Sequence, residues 1–82
     1  MVTPEEIRAG IRKSVTRITG IASDEINDAS TYRDDLGLDS LSMLELTVDL
    51  EYAFKIKVPE ERLQTLKTVN DTILLVQEYL PV

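Results

Sequence analysis

Ser40 is the residue whose setting suggests chemistry. It lies in the run Asp34-Asp35-Leu36-Gly37-Leu38-Asp39-Ser40-Leu41, between a polar stretch and an apolar, acidic segment. A hydroxyl is a weak nucleophile unless a nearby base takes its proton. The sequence holds no His and no Cys. No Ser-His-Asp triad, imidazole base, thiol nucleophile, thiolate metal site or disulfide is therefore available. The lipase-type Gly-x-Ser-x-Gly turn is also absent around Ser40. Any reaction of this hydroxyl must be driven from outside, so the chain reads as a non-enzyme. The acids nearby do not form a calcium loop. A start at Asp24 puts Ile26 at the third ligand position and a start at Asp34 puts Leu36 there, where an oxygen is needed. No metal site is expected.

Two structural uses of the run are open on the residues alone. Either Asp39 or Ser40 can cap a helix by accepting from its exposed amides, worth about 1 kcal/mol. Gly37 can supply a positive φ in a turn.

The elements that would hold this run follow from size and pattern. A chain of 82 residues supports one domain, taken as residues 1–82. A chain this short buries about 60% of its unfolded surface, enough for one modest core. Its 43% hydrophobic content argues against disorder. The formal charge of -6 is concentrated in residues 24–51, where nine acids face one base, Arg33. Nucleic acid is disfavoured by that field, whereas a basic protein partner is drawn in faster. No apolar run approaches the roughly 20 residues needed to span a bilayer, so membrane insertion is not expected. The opening Met1-Val2-Thr3-Pro4-Glu5-Glu6 has no basic or apolar signal region, which points to the cytoplasm.

Periodicity predicts an all-α fold: a small bundle of three long helices and one short one, with a long loop between the first two. Thr3, Pro4 and Glu6 mark the first start as a capping box, Ile7, Ile11, Val15 and Ile18 form its stripe, and Gly20 ends it. Arg8, Arg12, Lys13 and Arg17 read as a solvated basic face. Residues 21–39 lack periodicity and read as a functional loop pinned by scattered apolar side chains. The second helix is expected from Ser40 to Phe54 with a broad apolar sector. Leu41, Leu44, Val48 and Tyr52 form one row, and Met43, Leu46, Leu50 and Phe54 form the next. Lys55 to Val58 reads as loop. A short helical turn is expected from Pro59 to Leu66, with Leu63 and Leu66 inward. Thr68 caps the last helix, Ile73, Leu74, Val76 and Leu80 face inward, and Pro81 stops it.

The run Asp35-Leu36-Gly37-Leu38-Asp39-Ser40-Leu41, followed by Leu44-Glu45-Leu46, resembles the acyl carrier protein family. The likeness extends to the helix lengths, the long first loop, Val58-Pro59 before the short helix and Thr68-Val69 before the last. It implies a 4'-phosphopantetheine arm on Ser40, with Asp39 beside it, added from coenzyme A by a phosphopantetheinyl transferase. The thiol missing from the chain then belongs to the arm. A phosphodiester at a helix N-terminus is favoured by free N–H groups and the macrodipole. The resemblance also implies that Asp39, Glu45, Asp49 and Glu51 dock basic patches on acyltransferases, ketosynthases and other acyl-chain enzymes. Leu36, Leu46, Leu50, Val58, Leu63 and Leu66 are the implied lining of an acyl pocket.

The expected function is thus a monomeric carrier of acyl thioesters in type II fatty-acid or polyketide-like synthesis. The competing reading is a non-carrier helical interaction module in which Ser40 is only a cap. Leu38-Asp39-Ser40 differs from the Gly-Gly-x-Ser of peptidyl carriers, and Met1 suggests a discrete carrier. Ser42 and Tyr52 stand where the fatty-acid pattern favours acids, and Lys55, Lys57 and Arg62 add positive charge. Both departures tilt the reading toward a specialised pathway.

Overall fold

The structure, a computed structural model, describes residues 2–80. Each long helix begins where a short polar side chain can satisfy an amide that the first turn leaves open. Thr3 Oγ1 accepts from the Glu6 N–H and opens α1, Pro4–Thr19. Only this half of the expected capping box is formed among the described residues. Gly20, at φ 82°, closes α1 in the left-handed region that a side chain resists. Asp39 opens α2, Ser40–Phe54, and Lys55 ends it at φ 55°. The single turn α3 spans Glu60–Leu63, shorter than the stretch to Leu66. Thr68 and Asp71 exchange side-chain and backbone bonds in a full capping box at the start of α4, Val69–Tyr79. Pro81 lies outside the described residues.

The core is one cluster. Ile7, Ile11 and Val15 of α1 meet Met43, Leu46 and Leu50 of α2 and Val69, Ile73, Leu75 and Val76 of α4. Ile18 and Leu80 pack at its margin. Two helix orientations differ from expectation. On α2 the row of Met43, Leu46 and Leu50 is buried, with Thr47 beside it; Leu41, Leu44, Val48 and Tyr52 lie exposed. On α4 Leu75 is buried and Leu74 is 56% exposed. Adjacent rows of similar apolar residues leave the helix rotation to its neighbours, so the pattern alone does not set it.

The loop of residues 21–39 is more ordered than expected. It contains a turn of 3₁₀ helix, Ser23–Glu25, and an isolated antiparallel bridge between Thr31 and Thr68. The Tyr32 N–H donates to the Lys67 carbonyl, and the Val69 N–H donates to the Ser30 carbonyl. The Tyr32 ring is buried, and its hydroxyl shares a hydrogen bond with the Thr72 hydroxyl. Burial pushes the phenol pKa well up, so it stays neutral.

The basic face of α1 is not simply solvated. Arg8 forms a two-point ion pair with Asp28, Arg12 donates to the Ile26 carbonyl, and Arg17 pairs with Asp49. The arginines offset their mutual repulsion by fastening the loop and α2.

Candidate functional site

The loop before Ser40 is held by its own polar groups. The Thr31 N–H donates to Asp35 Oδ2 at 2.8 Å, and the Asp35 N–H returns a bond to Thr31 Oγ1 at 3.0 Å. Gly37 turns the chain at φ 68°. The Leu38 N–H then reaches the Tyr32 carbonyl at 2.8 Å, while Leu36 and Leu38 anchor the loop in the core. That path delivers Asp39 in extended geometry, with its carboxylate accepting from the Ser42 N–H at 2.8 Å. Hydrogen bonds to the Ser42 backbone first, and to its side chain next, hold the Asp39 carboxyl below the usual carboxylate range.

The capping ambiguity therefore resolves on Asp39. Ser40 is the first helical residue, exposed, and its hydroxyl does not cap. Among the described residues its recorded partner is Arg33, whose Nη2 donates to Ser40 Oγ at 3.2 Å.

Ser40 borders a groove of about 770 Å³. Met43 and Leu44 of α2 form one wall; Leu63 of α3, with Gln64, Leu66 and Lys67 after it, forms the other. Of the six expected pocket residues, Leu63 and Leu66 line this groove. Leu46 and Leu50 sit in the closed core, 0% and 4% exposed, and Val58 packs at its edge. Leu36 borders a separate cavity under the loop, beside Ile21 and Asn27. The structure therefore does not gather the six around one space. Met43 and Leu44, which also line the groove, are not among the six. Their signal was spacing, since positions three and four beyond Ser40 share its helix face.

The four acids also differ. Glu45 is exposed and has no hydrogen bond or ion pair among the described residues. Asp39 is exposed and serves as the cap. Asp49 turns toward α1, where Ser14 and Arg17 donate to it. Burial pushes the Asp49 carboxyl up, but these two donors outweigh it and bring it below the usual range. Glu51 Oε2 accepts from the Val58 N–H at 2.8 Å and fixes the chain after α2. Beside Glu45 run the exposed Leu41, Leu44, Val48 and Tyr52.

An exposed hydroxyl beside an open groove, in a chain without a base to activate it, suits a residue modified by another protein. A family model described as a phosphopantetheine attachment site matches residues 9–76. The meromycolate extension acyl carrier protein of Mycobacterium leprae is 43% identical over 77 residues, covering 94% of this chain and 67% of its own. The acyl carrier protein of Myxococcus xanthus is 38% identical over 73 residues, covering 89% of this chain and 92% of its own. The solution structure of an apo doublet acyl carrier protein from prodigiosin biosynthesis has the same fold. Its TM-score is 0.77 at 24% identity, over 92% of this chain and 36% of that one. The chain belongs to the acyl carrier protein family, whose members carry acyl groups on a covalent 4'-phosphopantetheine in fatty-acid or polyketide-type synthesis.

Proposed function

We propose that Ser40 is the residue that carries the 4'-phosphopantetheine, within a single carrier domain over residues 1–82. The observation behind this is the division of labour at the start of α2: Asp39 caps, which leaves the Ser40 hydroxyl exposed. The residues present fit the group. Ser40 Oγ stands at the open N-terminal turn, a guanidinium donates to it, and beside it begins a groove lined by Met43, Leu44, Leu63 and Leu66, with Asp34, Glu60 and Glu61 also on its wall. The arm supplies the thiol that a chain without Cys lacks.

Attachment balances without any base in this chain. The Ser40 Oγ–phosphorus bond forms, and the diphosphate link of coenzyme A breaks. The adenosine bisphosphate portion leaves, and the hydroxyl proton passes to a base of the transferase. As a family member the chain works with a phosphopantetheinyl transferase and with acyl-chain enzymes. We assign acyltransferases and ketosynthases to the face of α2 that carries Asp39 and Glu45 with Leu41, Leu44, Val48 and Tyr52. Charge there speeds encounter and the apolar row supplies buried area. Asp49 and Glu51 add to the negative field while their carboxylates serve the fold. The groove beside Ser40, with Leu63, Leu66, Met43 and Leu44, is assigned to the arm and its acyl group. We further assign a monomer in the cytoplasm; no helix among the described residues is long and apolar enough to cross a membrane.

The test is intact mass after incubation with coenzyme A and a transferase. The wild type is expected to gain one phosphopantetheine and Ser40→Ala none. A gain retained in Ser40→Ala would move the attachment elsewhere.

A further inference from the structure

We propose that Arg33 is a positioning residue that grips the phosphate joining the arm to Ser40 and so sets the direction in which the arm leaves. The inference rests on the assignment of the arm to Ser40 and concerns how this chain holds it.

Arg33 is the one basic residue in residues 24–51, among nine acids. A phosphodiester placed in that segment would be repelled unless something local offsets the charge. Three other arginines are engaged with carboxylates: Arg8 with Asp28, Arg17 with Asp49 and Arg62 with Glu78. Arg33 forms no such pair among the described residues, although Asp34 and Asp35 follow it directly. Its side chain instead donates through Nη2 to Ser40 Oγ at 3.2 Å. Esterification of that oxygen puts phosphorus one bond beyond it and the free phosphate oxygens two, within the sweep of the same guanidinium. A planar fork of donors matches two phosphate oxygens, which a lysine ammonium cannot do. Arg33 also lines the groove with Ser40, Leu44 and Leu63, so a phosphate held by it faces that space.

Phosphorus NMR of the loaded protein tests this. Wild type, Arg33→Ala and Lys67→Ala are loaded with coenzyme A and a transferase, and loading is verified by intact mass. Lys67 is the control because it is the other cation lining the groove. The phosphodiester resonance of Arg33→Ala is expected to be displaced from wild type, with Lys67→Ala overlaying wild type. The displacement should shrink near 1 M salt, where the screening length falls to about 3 Å. The Arg33 side-chain N–H signal should also shift when the wild type passes from unloaded to loaded. Coincident phosphorus signals in wild type and Arg33→Ala, or an equal displacement in Lys67→Ala, overturn the grip and leave Ser40 as the attachment residue. A wild type that gains no mass beside a loaded reference carrier overturns both assignments.

Discussion

The two apolar rows of α2 are similar in size and character and have opposite fates. Met43, Leu46 and Leu50 close the core against α1 and α4, whereas Leu41, Leu44, Val48 and Tyr52 meet solvent. The acids repeat the division. Asp49 is tied inward to Ser14 and Arg17, while Glu45 stands on the outer side without a partner among the described residues. One helix thus carries a face that stabilises the bundle and another that meets solvent, the face proposed above for partner enzymes. A row of four exposed large apolar side chains costs solubility, and a small domain keeps one where a partner covers it.

This contrast can be broken by the same substitution on each side. Leu46→Ala removes a fully buried side chain and should cost about 2–5 kcal/mol, read as a lower midpoint in urea unfolding. An undisturbed midpoint would mean that the inner row is not the core. A smaller effect should come from acid. The carboxyls of Asp28 and Asp49 lie below their ordinary range, Asp28 chiefly through its bond from Arg8, Asp49 through Ser14 and Arg17 against burial. Depressed carboxyls bind fewer protons folded than unfolded, so stability rises with pH there. Their contribution is present above the ordinary aspartate value of about 3.9 and lost as pH falls through the folded values. Urea midpoints from about pH 6 down to about pH 3 should therefore fall, and less steeply in Asp28→Asn and Asp49→Asn. Both pairs are over a third exposed on the acid side, so screening keeps each effect modest. Leu41→Ala should be the mildest for the fold, within about 0.5 kcal/mol, because that side chain is 66% exposed. It should raise KM for an acyl-chain enzyme all the same; an unchanged KM would remove Leu41 from the docking face.

What the sequence made legible follows the range of the interactions. Thr3, Gly20, Asp39 and Thr68 act within a few residues of themselves, so the helix boundaries could be read directly. The motif run singles out Ser40 as the candidate attachment residue, the assignment proposed above. The rotation of α2 and the inward turn of Leu75 depend on which helices lie alongside, and two neighbouring apolar rows hide that choice. The order of the first loop was equally hidden, because its bonds join Ser30 and Tyr32 to Val69 and Lys67. Arg8 and Arg17 looked like a free basic surface because their carboxylates lie 20 and 32 positions along the chain. The capping choice between Asp39 and Ser40 is set by how the loop delivers the chain to α2, since both side chains satisfy the local rule.

Tyr32 has a wider consequence than its place in the core. Its hydroxyl is joined to Thr72, its amide to Lys67 and its carbonyl to the Leu38 amide, one residue before the cap of α2. The serine's position is therefore referenced to the opposite end of the chain. Lifting the first turn of α4 would break the Tyr32–Thr72 bond, so the loop that leads to Ser40 is tied to the integrity of that turn.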